Sequence, residues 1–345
     1  MAIDKKSFNI NISTLTLVKM IVVVIILYFL WLISDIIAIL FVSLIFASAV
    51  DPWIDWLQRH KIPRSIGVLI IYLVSFIVIV SIIYLIIPPI VKETGQLSKD
   101  LPHYIEKVST VFSDFKMYAD KHNILSGVSN AVESMNTGLK SVANGIFSTI
   151  SSVFGGIFSF FLILVITFYM VVEENALKKA VWTITPDKHQ TYVIGLINRI
   201  QKKIGLWLRG QLTLCFIVFL LTFMGLSIFN VKYALILALI AGLTEAIPYL
   251  GPTLAAIPAV FLAFTQSPPL ALIVIALYFV IQMVENHILV PKIMQKAVGL
   301  NPLISISVLM IGFQIGGILG AVLSIPVATA ASVAIKDLFN YKRRV

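Results

Sequence analysis

The sequence predicts an all-α polytopic membrane protein, and three observations support this fold class. Hydrophobic residues make up 59% of the 345 positions, charged residues make up only 12%, and mean hydropathy is +1.00. Soluble domains carry roughly 25% charged residues, so the composition excludes a soluble fold. Several apolar runs are long enough to cross a bilayer, which takes about 20 helical residues. Backbone groups in lipid must pair internally, so these runs are expected to be helices.

Six apolar segments are predicted to cross the membrane completely, and two more are interrupted near their middle. The six full spans are residues 15–33, 35–50, 66–91, 146–172, 208–229 and 270–290. The interrupted regions are residues 233–265 and 302–334. The first run lacks a small-residue cleavage site, which favours a retained span over a signal peptide.

The spans divide the chain into six regions. These are N-terminal helices 1–3 (residues 1–91), an extracytoplasmic amphipathic segment (92–145), the fourth helix (146–172), cytoplasmic amphipathic linker helices (173–207), a transport core (208–335) and a basic tail (336–345). Lysine and arginine cluster in the N-terminal region, in residues 59–64 and 173–209, and in the tail, which predicts a cytoplasmic location for each. Residues 92–140 balance six lysines against six acids and are expected outside. Both termini are therefore expected in the cytoplasm.

Parity of the crossings predicts two opposed re-entrant helical hairpins. The fifth span ends outside and the sixth must end inside, so residues 233–265 begin and end on the outer face. Each arm of this region has 13 or 14 residues, or about 20 Å of helix, which is shorter than the roughly 30 Å hydrocarbon core. Residues 302–334 begin and end inside by the same reasoning. Broken helices that meet near the midplane are typical of inverted-repeat transporters.

Two amphipathic stretches lie outside the spans. Residues 92–145 carry two apolar seams at alternating spacings of three and four, which fit either a helical hairpin or a collar between subunits of a homo-oligomer. In the cytoplasmic stretch after Pro186, apolar residues follow one helical face while Arg199, Lys202 and Lys203 lie off it. This pattern predicts an interfacial helix that rests on anionic lipid headgroups of the bilayer.

The sequence argues against an enzyme and against nucleic-acid binding. The net charge is +10, but the basic residues lie beside apolar segments and form no zinc-finger or basic-aromatic pattern. Cys215 is the one cysteine, so neither a disulfide nor a cysteine metal site is expected. Nucleotide-binding loops, metalloprotease motifs and nucleophile elbows are missing. No cofactor is predicted, and H⁺, Na⁺ or K⁺ is a candidate coupling ion.

Glu245 and Glu285 are the candidate coupling residues. Carboxylates within apolar segments are expensive and usually functional, and removal from water disfavours their charged form, which suits a group that carries a proton. Glu245 lies at the break of the first interrupted region, beside Pro248, Gly251 and Pro252. Gln282 and Asn286 are predicted to extend the polar patch of Glu285. Gly316 and Gly317 break the second region and are predicted to meet the first tip. The alternative is that both carboxylates only cap broken helices.

The chain resembles the autoinducer-2 exporter (AI-2E) family of bacterial membrane proteins over almost its whole length. The resemblance rests on an ordered set of motifs: Asp51-Pro52, Pro63-Arg64, Leu208-Arg209-Gly210-Gln211, Glu245-Ala-Ile-Pro-Tyr-Leu-Gly-Pro252, Ile257-Pro258-Ala259, Glu285-Asn286, Pro291-Lys292, Leu300-Asn301-Pro302-Leu303, Gly316-Gly317-x-x-Gly320 and Ile325-Pro326. The family often has histidine before the proline where this chain has Asn301.

The resemblance implies a secondary transporter of the bacterial cytoplasmic membrane, which exports the signal autoinducer-2 or exchanges Na⁺ or K⁺ for protons. It also implies that Asn301 belongs to the substrate site and that a homo-oligomer is plausible. Two other classes stay open on the residues alone. A channel would need a continuous polar lining, and a non-transporting scaffold would tolerate neutralisation of both glutamates.

Overall fold

The computed structural model describes residues 14–78, 80–82, 84, 88–89, 91–93, 95–96, 99–100, 157–173, 181–183, 185–248, 251–294 and 299–342. Across these residues the regular structure is entirely helical. The predicted amphipathic segment 92–145 lies almost wholly outside the described residues. The helices are α1 (Thr14–Leu32), α2 (Ser34–Arg59), α3 (Arg64–Ile82), α4 (Ile157–Val172), α5 (Asp187–Ile228), α6 (Ala234–Thr244), α7 (Gly251–Gln266), α8 (Pro268–Val284), α9 (Val290–Met294) and α10 (Pro302–Lys342).

The helices are those of a multi-pass membrane protein. Within the described residues, five helical stretches are long and apolar enough to cross a bilayer: Ser34–Arg59, Arg64–Ile82, His189–Ile228, Pro268–Met294 and Leu303–Asp337. The predicted first and fourth spans correspond to shorter apolar helices, Val18–Leu32 and Ser159–Val172. Large apolar side chains along α1, α3 and α8 are exposed, as expected for surfaces that lipid covers.

Helix α5 runs without a break through the predicted boundary between residues 207 and 208. It contains 42 residues and no proline, so nothing in its sequence interrupts the hydrogen-bond ladder. Its N-terminal half packs against α2, because Gly205 lets the two backbones touch: a Cβ on Gly205 would collide with the carbonyl of Ser48. Ile204 and Trp207 belong to the apolar face that was predicted to rest on lipid. Both are instead buried in the protein core.

Helices α6 and α7 form the first predicted hairpin. At its tip, the Thr244 hydroxyl donates a 3.0 Å hydrogen bond to the carbonyl of Gly251. At its base, the backbone N–H of Lys232 donates to the side-chain oxygen of Gln266 at 3.4 Å. Contacts at both ends require the two arms to run antiparallel. Their inner faces join α5 and α8 in one apolar core that includes Val218, Leu237, Ala241, Ala255, Ala259, Val274 and Tyr278.

The long helix α10 is the second hairpin. Its helical geometry is interrupted at Gly316 (φ −131°, ψ 21°) and Gly317 (φ 58°, ψ −141°), where the chain reverses. A Cβ on Gly312 would collide with the Gly320 carbonyl and lie 2.7 Å from the Ser324 Cβ. Residues eight apart in one straight helix would be about 12 Å apart, so this contact shows that the two arms are folded together.

A second apolar core holds α10 against α2, α5 and α9. Its buried members are Ile45, Ile204, Trp207, Leu214, Met294, Leu309, Ala321 and Ile325. Ile247, from the turn of the first hairpin, packs against this cluster. The first hairpin therefore contacts the body that carries the second one, although the two turns themselves occupy different places.

Candidate functional site

Glu245 and Glu285 come together inside the helix bundle. Their exposed fractions are 1% and 2%, and their carboxyl groups lie within hydrogen-bonding reach of each other. No donor among the described residues reaches the Oε2 atom of either carboxyl. Because two ionised carboxylates are both acceptors only, a hydrogen bond between them contains one proton. The structure thus brings together the two carboxylates that the sequence singled out.

The end of α6 positions Glu245. Its backbone N–H still bonds to Ala241 at 3.1 Å, while the following residues leave the helix in a turn that contains Pro248. Gly251 then packs directly on the glutamate, since a Cβ at this position would lie 2.7 Å from both the backbone nitrogen and Oε2 of Glu245. Glycine is therefore required here by close approach. Pro252 is buried beside it in the first turn of α7, where its missing N–H is not needed.

A π-helical turn positions Glu285. The turn covers Glu285–Leu289 and joins α8 to α9; such turns often occur at functional sites. Tyr278 and Ile281 precede Glu285 on the buried face of α8, so the carboxylate continues an apolar stripe into the protein. Glu285 could be identified from sequence because it is a charged residue in an apolar segment. The π turn that positions it could not be predicted from the sequence.

Gln211 belongs to this site and was not identified as a site residue from sequence. Its side-chain amide donates a 2.6 Å hydrogen bond to the backbone carbonyl of Glu245, and Gln211 is 4% exposed. Its side chain also reaches the thiol of Cys215, one turn further along α5. Gln211 could have been identified as a site residue because it is an amide in the apolar part of α5, and a buried amide needs hydrogen-bond partners.

The predicted partners of Glu285 separate in the structure. Gln282 is half-buried and donates a 3.4 Å hydrogen bond to the Thr253 hydroxyl, which links α8 to α7 beside the carboxylate pair. Asn286 is exposed, so its predicted place in the polar patch is wrong. Neighbouring residues of a helical turn point about 100° apart, and burial of Glu285 therefore turns Asn286 outward.

Asn301 has a structural role at the start of α10. It is exposed, and its side-chain oxygen accepts a 3.0 Å hydrogen bond from the N–H of Leu303. This is the geometry of a helix N-cap, followed by Pro302 at the first helical position. The resemblance implied a substrate contact for Asn301, whereas the observed contact is a cap.

The turn of the second hairpin does not reach the glutamates. A Cβ on Gly316 or Gly317 would meet no atom of the described residues within 4 Å, and both residues are exposed. The predicted meeting of the two tips is therefore wrong for this structure. The arms of α10 pack through Leu309, Ala321 and Ile325, which leaves the turn beyond that core.

The groups that meet at the site offer oxygen atoms as ligands. Within the described part of the chain, no group of three or more histidine, cysteine, aspartate or glutamate side chains could hold a metal ion. Two carboxyl groups, the backbone carbonyl of Glu245 and the oxygen of Gln211 are hard oxygen ligands, which suit H⁺, Na⁺ or K⁺ better than a soft transition metal. The site lies where α5, the α6–α7 turn and α8 meet.

Known proteins with similar sequences are bacterial transport proteins. A sequence model of the AI-2E family of transporters matches residues 20–340. YrrI of Bacillus subtilis, named as a candidate transport protein, is 27% identical over 88% of this chain and 87% of its own length. YueF of the same organism is 30% identical over 79% and 76%. TqsA of Escherichia coli K12, named an AI-2 transport protein, is 25% identical over 88% and 86%. The chain thus belongs to the AI-2E family of membrane transporters.

Proposed function

We propose that this protein is a secondary transporter of the bacterial cytoplasmic membrane that exports a small polar signal molecule of the autoinducer-2 type. Export is coupled to a proton or cation at the Glu245–Glu285 pair. One observation carries the coupling role: two carboxyl groups with exposed fractions of 1% and 2% face each other, and no cationic side chain in the described part of the chain pairs with them. The signal molecule is suggested by the name of TqsA.

The shared proton holds the turn of the first hairpin on α8. While one proton bridges the pair, Glu245 in the turn and Glu285 in the π turn attract each other. When the proton leaves and no cation replaces it, two unit charges 4 Å apart repel by about 4 kcal/mol at an effective dielectric constant of about 20. That energy is enough to shift a two-state equilibrium by several hundredfold, so the turn separates from α8 and exposes the site.

The second candidate is exchange of a monovalent cation for a proton. It is favoured by the oxygen-only ligands of the site, which need no organic substrate to complete them. In this scheme Na⁺ or K⁺ takes the place of the shared proton, and competition between cation and proton is itself the transport cycle. In both schemes, movement of the first hairpin exposes the glutamate pair alternately to the two sides of the membrane. Both termini lie in the cytoplasm.

Proteoliposomes with an internal pH-sensitive dye test the proposal. Autoinducer-2, Na⁺ and K⁺ are added in turn to wild-type protein and to the Glu245→Gln and Glu285→Gln variants. Each variant keeps the shape of the carboxyl and can still hydrogen-bond, but cannot release a proton. We expect proton movement with one addition in the wild type and at least a tenfold loss in both variants. Exposed Asp35→Asn is the matched control for removal of a membrane-region carboxylate.

The outcomes separate the schemes. Proton movement on addition of autoinducer-2 supports the exporter, and movement with Na⁺ or K⁺ alone supports the exchanger. Labelled autoinducer-2 that crosses at the same rate in all three proteins without proton movement would overturn the coupling role of the glutamates. Absence of any flux for all three solutes would favour a scaffold.

A further inference from the structure

A cavity of about 490 Å³ lies between α2, the end of α4 and the N-terminal half of α5. Its size falls within the usual range of small-molecule sites, about 300–1,000 Å³. Helix α4 contributes only apolar residues to the described lining, whereas α2 and α5 each contribute apolar and polar residues. The polar lining residues are Ser48, Asp51, Asn198, Gln201, Lys202 and Arg209.

The charges in this cavity favour an anion. Arg209 donates through Nε to the carbonyl of Gly205 at 3.0 Å, which fixes its side chain at the wall. No carboxylate among the described residues forms an ion pair with Lys202 or Arg209. Asp51 is the one acid in the described lining, and its carboxylate is bound by the guanidinium of Arg64, which also pairs with Asp55. Two cations therefore face the cavity against one acid that is already engaged in an ion pair.

The cavity and the glutamate pair lie on different faces of α5. Arg209 lines the cavity, whereas Gln211, two residues later, reaches Glu245. Side chains two positions apart in an α-helix point about 200° away from each other around the helix axis. The ligand of the cavity is consequently distinct from the ion that the glutamates bind.

We propose that this cavity binds a small hydroxylated anion, with a phosphate or carboxylate group held by Lys202 and Arg209. The amides of Asn198 and Gln201 then face the hydroxyl groups. A planar guanidinium at the wall suits a two-point contact with such an oxyanion. The same chemistry is offered by a soluble metabolite and by the glycerol-phosphate headgroup of an anionic lipid. The site is independent of the transport reaction proposed above.

The test is thermal unfolding of the intact protein in lipid nanodiscs. In one arm, phosphatidylcholine discs are titrated with inorganic phosphate and with glycerol 3-phosphate. In the other arm, phosphatidylglycerol discs receive neither. Wild-type protein is compared with the Lys202→Gln/Arg209→Gln double variant and with Arg209→Lys. The control is Lys292→Gln, because Lys292 is exposed and does not belong to the described cavity lining. A ligand that binds only the folded state raises the unfolding temperature with concentration.

We expect the wild type and Lys292→Gln to be stabilised in at least one arm. The double variant should need at least tenfold more phosphate or glycerol 3-phosphate in the first arm, or lose the stabilisation by phosphatidylglycerol in the second. Arg209→Lys should retain part of the effect, which would show that the double variant fails through charge and not through misfolding. Stabilisation by glycerol 3-phosphate identifies a soluble ligand, and stabilisation only by phosphatidylglycerol identifies a headgroup. The proposal is overturned if neither arm stabilises the wild type, or if Lys292→Gln weakens binding as much as the double variant.

Discussion

The side-chain amide of Gln211 donates a 2.6 Å hydrogen bond to the backbone carbonyl of Glu245, and this bond ties the turn of the first hairpin to α5. The carbonyl belongs to the same residue whose carboxyl faces Glu285. One amide therefore fixes the backbone of Glu245, the proposed coupling residue, through the carbonyl and not through the carboxyl.

Replacement of Gln211 by alanine should impair transport more than folding. The variant leaves the Glu245 carbonyl without its donor, and an unsatisfied buried acceptor costs about 1–3 kcal/mol. We expect a modest fall in unfolding temperature and at least a tenfold loss of solute-driven proton flux, because Glu245 is no longer held opposite Glu285. Gln314→Ala is the control, since Gln314 is exposed on α10. Equal flux in the two variants would mean that Gln211 does not position Glu245.

The two hairpin turns should respond oppositely to added methyl groups. At Gly251, a Cβ would lie 2.6 Å from the Glu245 Cα and 2.7 Å from its carboxyl oxygen. We expect Gly251→Ala to displace Glu245 and abolish coupled flux. At Gly316, φ is −131° and no atom of the described residues lies within 4 Å of the added Cβ, so Gly316→Ala should transport normally.

The contrast tests whether the second turn belongs to the site. Purified variants would be compared for proton flux in proteoliposomes and for unfolding temperature. Loss of flux in a stable Gly316→Ala protein would restore the idea that the two turns meet during transport. Normal flux in Gly251→Ala would show that the backbone near Glu245 can relax around the methyl group.

Sequence reasoning predicted the hairpins because their signals are local. Glycine and proline interrupt apolar runs at fixed places, and arm lengths of 13 or 14 residues are too short to cross. The helical reversals at Thr244–Gly251 and at Gly316–Gly317 follow from those signals. The placement of the hairpins in the membrane stays a prediction.

Side-chain direction and packing between helices could not be read from the same patterns. Asn286 lies next to Glu285 in sequence, but burial of one turns the other outward. Gly316 and Gly317 were expected at the site because the two breaks look equivalent, whereas the core around Leu309 and Ile325 decides where the α10 turn lies. Gln211 was missed because its partner is a backbone carbonyl 34 residues away.

Stability near the base of the first hairpin should depend on pH through Glu93. This residue lies beyond α3, and its Oε2 accepts a 3.3 Å hydrogen bond from the N–H of Ile236 in the first turn of α6. Burial raises the pKa of Glu93, and the hydrogen bond from Ile236 opposes part of that shift. The protonated form is therefore favoured in the folded protein. Its contribution is complete below the usual glutamate pKa of about 4.3 and is lost as pH rises through the raised value.

Glu93→Gln should remove this dependence, because glutamine resembles the protonated form at every pH and can still accept from Ile236. We expect the unfolding temperature of the wild type to fall relative to that of Glu93→Gln as pH rises above the usual glutamate pKa. Asp35→Asn, which removes an exposed carboxylate, should run parallel to the wild type. A constant difference between wild type and Glu93→Gln as pH rises would contradict the assignment.

The single cysteine provides an unmodified reporter of the proposed opening. Cys215 is half-buried, and its thiol lies close enough to interact with the side chains of Gln211 and Glu245. If loss of the shared proton separates the α6–α7 turn from α8, water and polar reagents should reach this thiol. Labelling by a membrane-impermeant cationic thiol reagent should then accelerate as pH rises, beyond the increase that thiolate formation alone produces.

Glu245→Gln and Glu285→Gln should abolish this extra acceleration, because a single carboxylate opposite an amide has no like charge to repel it. Rates are normalised to those of the same protein unfolded in denaturant, which corrects for thiol ionisation. We expect at least a threefold excess in the wild type and none in either variant. The same excess in all three proteins would place the opening elsewhere, since it would then be independent of the proton that Glu245 and Glu285 share.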